Sequence, residues 1–195
     1  MAIISLPAGY QFDRVDWHPV PTVQVNRAAY SKGRRTFDLD NGYFVAAVEI
    51  QVATENEDRG WRVFNSLLRG PANTFRLPAT DCQQTVITGT AIQVAADAAA
   101  GAVSMSTKNW ANASVLLKAG QYITVNDQLL MLTADVPGSG TNRTIAFDPP
   151  LRAAAATNTT VTADYPTALV FIPGGEVPKT ADGVMTWAFQ AEEAF

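Results

Sequence analysis

Short β-branched or apolar runs, broken by glycine, proline and asparagine, dominate the 195 residues of this chain. Runs of that length bounded by turn-forming residues are typical of a β-sandwich or a β-barrel. The pattern predicts strands at 20–25, 36–39, 43–52, 85–94 (one strand or a pair), 122–125, 128–133, 143–147, 161–164, 168–172 and 184–191. We therefore expect an all-β fold with a single embedded α-helix.

The strand expected at 43–52 carries apolar residues at every second position, so that they share one face. These residues are Phe44, Ala46, Val48, Ile50 and Val52. Just before them, Asn41-Gly42 supplies the positive φ angles of a tight turn, which predicts a hairpin between 36–39 and 43–52. The pair Asn126-Asp127 likewise predicts a hairpin between the strands on either side of it.

One segment has the signals of a helix, which we expect at 55–69. Thr54 and Glu57 have the spacing of a capping box, and Gly70-Pro71 ends the pattern. Its apolar stripe consists of Trp61, Phe64, Leu67 and Leu68, which we interpret as core packed on a sheet. Residues 95–102 have helical propensity but no large apolar anchor, and we interpret them as a loop.

The composition excludes several classes of protein. The chain is 47% hydrophobic and only 16% charged, which excludes intrinsic disorder and indicates a surface covered by another subunit. A net charge of −4 leaves no broad basic field for nucleic acid, so we expect no stable nucleic-acid binding. No apolar run approaches the roughly 20 residues of a membrane span, and we expect no membrane insertion.

Catalytic and metal-binding chemistry finds little support in the sequence. The single histidine, His18, and the single cysteine, Cys82, cannot fill a zinc site, and no G-x-S-x-G motif accompanies them. We expect Cys82 to be a buried or half-buried thiol, and Arg14 to form surface ion pairs with Asp13 and Asp16. The prediction is that the chain is not an enzyme and holds no metal or cofactor.

The one basic cluster is Ser31-Lys32-Gly33-Arg34-Arg35. Two interpretations stay open: a solvated hairpin loop, or a charged contact with an acidic ring of another protein, in which Lys32, Arg34 and Arg35 are the interface charges.

With these segments in order, the chain resembles the distal tail proteins of siphophages and of gene-transfer-agent particles. The resembling segments are Asp16-Trp17, the strand 44–52, the helix end Trp61–Gly70 with its Leu-Arg-Gly stop, Asn73–Pro78 with its Asn-Thr-Phe strand, and Trp187–Phe195. The middle segments 117–126 and 147–152 are similar to the domain often inserted in such proteins. The resemblance implies a β-sandwich belt domain at 1–82 and 166–195, and a small β-barrel-like inserted domain at 83–165.

For function, the resemblance implies a structural virion protein of the phage tail, assembled in the bacterial host cytoplasm. Six copies would form a ring that joins the tail tube protein to the tail hub or baseplate and leaves a channel for the tape measure protein and DNA. The residues we select for fold and assembly are Trp17, Trp61, Phe64, Leu67, Phe75, Trp187 and Phe189.

Two alternatives remain. A tail-tube or tail-terminator protein shares the sandwich with one helix but usually lacks a middle region such as 83–165. A carbohydrate-binding module needs several aromatic side chains on one exposed face, for which Trp110, Tyr122 and Tyr165 are the nearest candidates.

Overall fold

The computed structural model describes residues 1–8, 11–27, 34–38, 42–80, 82–87, 90–110, 117–136, 140–174, 179–181 and 184–194. Antiparallel sheets, one α-helix and a single 3₁₀ turn (Gly70–Ala72) make up the regular structure of these residues, which confirms the predicted all-β fold with one α-helix. The strands in chain order are β1 (Gln11–Val20), β2 (Val23–Arg27), β3 (Arg34–Asp38), β4 (Tyr43–Val52), β5 (Phe75–Pro78), β6 (Gln93–Val94), β7 (Ser104–Lys108), β8 (Tyr122–Val125), β9 (Gln128–Leu132), β10 (Arg143–Asp148), β11 (Thr167–Phe171), β12 (Lys179–Ala181) and β13 (Val184–Glu193).

The larger sheet has six strands in the order β1-β4-β13-β11-β5, with β12 paired to one end of β13. On β4, the alternating positions predicted to face the core are all buried. Its register continues that face onto its neighbours, with Val15 opposite Val48 on one side and Trp187 opposite Ile50 on the other. The sheet curls far enough for the indole N–H of Trp17 on edge strand β1 to donate to the carbonyl of Pro78 on the opposite edge strand (3.3 Å).

The helix α1 (Glu55–Leu68) closes the concave side of this sheet. The predicted capping box is present: Glu57 N–H donates to Thr54 Oγ1 (3.3 Å), and Thr54 N–H donates to the Glu57 carboxylate (3.2 Å). Arg69 ends the helix in the left-handed region (φ 51°), one residue earlier than expected.

One member of the expected apolar stripe does not join the core. Trp61, Phe64 and Leu68 are buried, but Leu67 is 50% exposed. At 3.6 residues per turn, Leu67 points about 120° away from Trp61, which takes it off the face that packs on the sheet. The interpretation of Leu67 as core was therefore wrong.

The smaller sheet has five strands in the order β6-β7-β10-β9-β8, and all of them come from the expected inserted segment, 83–165. Residues 160–162 join its two edges, since Thr160 bridges to Gln93 on β6 and Thr162 bridges to Thr124 on β8. This closure curls the sheet around a second core, in which Ile92, Leu117 and Ile145 are buried.

Some strand predictions were wrong. The strand expected at 20–25 is broken between β1 and β2, because Pro21 has no N–H to donate to a ladder. The strand expected at 85–94 reduces to β6 among its described residues, and 161–164 contributes only an isolated bridge at Thr162. The strands β1, β7 and β12 were not expected.

The hairpin expected at Asn41-Gly42 was also wrong. The strand β3 pairs with β2, and β4 pairs with β1 and β13, so β3 and β4 are not partners. The strand β1 pairs with β4 because its apolar side chains Phe12, Val15 and Trp17 extend the core that the apolar face of β4 begins. Residues 39–41 themselves lie outside the described part of the chain.

The second predicted hairpin is confirmed. The strands β8 and β9 pair antiparallel across Asn126 (φ 49°) and Asp127 (φ 63°), both in the left-handed region that asparagine and aspartate tolerate. The strand β10 ends at Asp148, before Pro149-Pro150, and 95–102 contains no helix, as expected.

Candidate assembly surface and sheet junction

Five of the selected aromatic residues meet in one cluster between α1 and the larger sheet. Ring centroids lie 6.2 Å apart for Trp187 and Trp61, 5.3 Å for Trp61 and Phe64, 5.2 Å for Phe64 and Phe75, and 6.2 Å for Phe75 and Phe189. The buried carboxylate of Asp58 accepts the indole N–H of Trp187 (3.3 Å) and pairs with Arg62 (2.7 Å). The cluster therefore fastens the helix to β5 and β13.

A second aromatic contact leads from the larger sheet to the smaller one. Trp17 packs edge-on against Phe44 (6.4 Å), and Phe44 packs edge-on against Tyr122 on β8 (5.8 Å). Partial burial at this contact raises the pKa of the Tyr122 hydroxyl. Trp17 thus supports both the curl of the larger sheet and its contact with the smaller one.

At this junction, the side chain of Glu193 is fully buried. One carboxylate oxygen accepts the N–H of Leu129 (2.8 Å), and the other accepts the N–H of Phe44 (3.2 Å) and the guanidinium of Arg152 (2.6 Å). Arg152 also donates to the carbonyl of Gly42 (3.4 Å). The carboxylate thereby ties β13 to β4, to β9 and to the segment after β10.

Two glutamine side chains complete the junction. Gln84 donates to the carbonyl of Tyr122 (2.8 Å) and accepts its N–H (3.0 Å), as a neighbouring strand would. Gln128 donates to the carbonyl of Pro150 (2.9 Å) and accepts the N–H of Arg152 (2.9 Å).

Glu193, Arg152, Gln84 and Gln128 were not among the residues selected from the sequence. A usable signal exists for Glu193: it follows Trp187, Phe189 and Ala191 at the same alternation, so it occupies a core position of its strand. A carboxylate there requires hydrogen-bonding partners. No comparable pattern marks Gln84, Gln128 or Arg152.

The exposed face of α1 borders a groove of about 550 Å³ against the N-terminal segment. Pro7 and Ala8 form one wall, and Val63 (59% exposed) and Leu67 form the other. Glu57 and Arg59 also line it, with Arg59 paired to Glu55 (2.6 Å). Among the selected residues, Leu67 is thus the most exposed, whereas Trp17 and Phe189 are partly buried.

The basic cluster falls on the only two-stranded sheet of the described residues. Strands β2 and β3 pair antiparallel, with Asn26 opposite Arg35 and Arg27 opposite Arg34. Lys32 lies outside the described residues. The paired strands support a hairpin, but Arg34 and Arg35 are the first residues of β3 and not loop residues, so that part of the loop interpretation was wrong.

Long-range hydrogen bonds hold the loops of the smaller sheet. Asp97 accepts both the hydroxyl (2.7 Å) and the N–H (2.6 Å) of Thr157, and these bonds lower the pKa of its carboxyl group. Asp135 accepts the N–H of Ala119 and the ammonium of Lys118 (each 2.9 Å), and these bonds lower the pKa of its carboxyl group.

The single cysteine and the single histidine both lie at the surface. Cys82 is exposed, so its interpretation as a buried or half-buried thiol was wrong: it follows the end of β5, outside both cores. His18 is exposed on edge strand β1. The expected surface ion pair between Arg14 and Asp16 is present, and it raises the pKa of the guanidinium, chiefly through their hydrogen bond.

Other candidate sites can be assessed only in the described ranges. Within them, no three residues of the histidine, cysteine and carboxylate types are grouped to hold a metal ion, and no helix has the length and apolarity to cross a bilayer. Of the three aromatics considered for a carbohydrate platform, Trp110 is buried under Arg143 (4.7 Å to the ring centroid), Tyr122 is half-buried and Tyr165 is exposed.

Neither comparison with known proteins gave a match. No model of a known protein family matches the chain, and no curated protein is similar to it in sequence.

Proposed function

We propose that this chain is a structural protein of a phage tail, which assembles as a ring at the distal end of the tail. The ring connects the tail tube to the tip or baseplate and leaves a channel for the tape measure protein and DNA. Its partners are further copies of itself, most simply six, and the tail proteins above and below. The virion is its place of action.

The observation that carries the proposal is the convergence of the resembling segments. The resembling segments come from three separate parts of the chain, yet they lie in β1, β4, α1, β5 and β13 around one core. These parts are Asp16-Trp17, the neighbouring segments 44–52, 61–70 and 73–78, and the start of 187–195. Their meeting supports the belt domain that the resemblance implies.

The middle segment supports the distal tail interpretation over a tail-tube protein. Every strand of the smaller sheet comes from 83–165, and the chain re-enters the larger sheet at β11 directly afterwards. Tube proteins usually lack such a nested sheet. The burial of Trp110 weighs against the carbohydrate-binding alternative, because stacking on a sugar requires exposed ring faces.

The test is the assembly state of the purified full chain. Light scattering coupled to size-exclusion chromatography, followed by negative-stain electron microscopy, should give closed rings with a central channel. A strict monomer at every accessible concentration would contradict the proposal. Rings alone would leave the location in the tail to be tested, for which gold-labelled antibodies against the chain should mark the tail tip of intact particles.

A further inference from the structure

The β2–β3 hairpin, which we call the arm, extends neither of the two larger sheets in the described part of the chain. Its two strands pair with each other and with no other described strand. The side chains of Val23, Gln24, Val25 and Asn26 are all exposed, so that both faces of β2 are open to solvent. A two-stranded hairpin alone is marginally stable in water at best, and a partner surface would stabilise it.

The arm also differs in charge from the rest of the chain. Residues 23–38 contain four basic residues (Arg27, Lys32, Arg34 and Arg35) and one acidic residue, Asp38, whereas the remainder contains 10 basic and 17 acidic residues. The arm is thus positive and the body clearly negative. A second copy of the chain offers a surface of complementary charge, and such complementarity steers association.

The groove beside α1 has the complementary apolar surface. Val63 and Leu67 present exposed methyl groups to it, and Val23 and Val25 (each 40% exposed) share one face of β2. Glu57 lines the groove, and the charge of Arg59 is balanced by Glu55. An apolar strip beside an acidic residue fits a strand that carries valines followed by arginine.

We propose that the β2–β3 arm of one copy docks in the groove between α1 and the N-terminal segment of a second copy. This inference rests on the proposed ring and names its contact. Arm and groove are different surfaces, so the contact is heterologous: each copy gives its arm to one neighbour and receives an arm from the other. Repetition of such a contact closes a ring when the rotation between copies allows it.

Cross-linking tests the contact directly in the full chain. In a Cys82→Ser background, Val25→Cys and Leu67→Cys are combined and treated with a short bismaleimide at assembly concentration. The expected product is a ladder of covalently linked copies on a denaturing gel. The matched control replaces Leu67→Cys with Val86→Cys, another exposed aliphatic position (62%), and should give at least tenfold less ladder.

Three outcomes would overturn the inference: a link within one copy only, no link, or an equal ladder in the control. The double variant Arg34→Glu/Arg35→Glu should weaken self-association at least tenfold, while Arg34→Lys/Arg35→Lys, which keeps the charge, should preserve it. If both variants form wild-type rings, the arm contact is wrong and the ring proposal stands. If wild-type protein forms no ring, the proposed function itself fails.

Mixing two variants distinguishes this heterologous contact from a symmetric contact between identical surfaces. The variant Val25→Asp disrupts the arm and leaves the groove intact, whereas Leu67→Asp disrupts the groove and leaves the arm intact. Each alone should be monomeric, and an equal mixture should give heterodimers without rings, measured by light scattering. An unchanged monomer in the mixture would overturn the inference. So would tight, salt-sensitive binding of double-stranded DNA by the arm, lost in Arg34→Glu/Arg35→Glu while self-association persists.

Discussion

At the scale of single residues, the most consequential side chain is Glu193, a fully buried carboxylate with three donors from three different parts of the chain. A buried charge is costly unless each of its lone pairs is used. Here two backbone N–H groups and a guanidinium supply the partners. The neighbouring Glu192 is only partly buried and lies on the opposite face of β13.

Glu193→Gln tests this role with almost no change in size. Both carboxylate oxygens of Glu193 accept hydrogen bonds. In the glutamine variant an N–H₂ group replaces one of these oxygens and faces a donor, so that hydrogen bond is lost. We expect a loss of about 2 kcal/mol in the free energy of unfolding, and about 3 kcal/mol for Glu193→Ala. Urea denaturation measures both, with Glu192→Gln as the control. Equal midpoints for Glu193→Gln and Glu192→Gln would contradict the assignment.

Asp97 gives a prediction about pH. Because its hydrogen bonds to Thr157 lower the pKa of the folded-state carboxyl, they stabilise the folded chain above about pH 4, and this contribution is lost as the pH falls through the lowered value. Thr157→Val removes the hydroxyl donor, so the pKa of Asp97 should rise towards its ordinary value. Carboxyl-carbon NMR titration measures this shift, and Thr160→Val, at an exposed position, should leave it unchanged.

At the scale of elements, α1 and the β8–β9 hairpin could be predicted from sequence because their signals are local. The helix has its capping box and apolar stripe between Thr54 and Leu68, and the hairpin has Asn126-Asp127 between two apolar runs. The pairing of β1 with β4 could not, because the partners are separated by the β2–β3 excursion. Period-two patterns show which face is buried, but leave the neighbouring strand open.

The burial of each residue in the apolar stripe of α1 predicts how much its replacement by alanine destabilises the chain. Trp61→Ala or Phe64→Ala should each cost about 3–5 kcal/mol, since each opens a cavity in the aromatic cluster. Leu67→Ala should cost less than about 1 kcal/mol, because half of that side chain is already in water. Thermal and urea unfolding followed by circular dichroism compare the three. A loss for Leu67→Ala as large as for Phe64→Ala would contradict its placement outside the core.

At the scale of the whole molecule, the two cores are joined through β9. Leu129 is buried in the core of the larger sheet, whereas the next residue, Leu130, is buried in the core of the smaller sheet. Adjacent residues of a strand point to opposite faces, so β9 is covered on both. An inserted segment could be predicted from the resemblance. Its attachment through Leu129 could not, because a strand buried on both faces has no alternation to mark either side.

Leu129→Ala and Leu130→Ala should therefore separate the two cores. Each should cost about 2–5 kcal/mol. Native-state hydrogen exchange should show that Leu130→Ala lowers protection in the smaller sheet, while Leu129→Ala lowers it along β4 and β13 as well. Identical protection patterns for the two variants would contradict a shared β9.

The position of β13 has a consequence for synthesis on the ribosome. This strand lies in the middle of the larger sheet, between β4 and β11, yet it is translated after every other strand of both sheets. The nested sheet can therefore finish folding while β1, β4 and β5 still wait for their central neighbour. During that interval the larger sheet of the nascent chain has an open seam, which β13 closes when it leaves the exit tunnel.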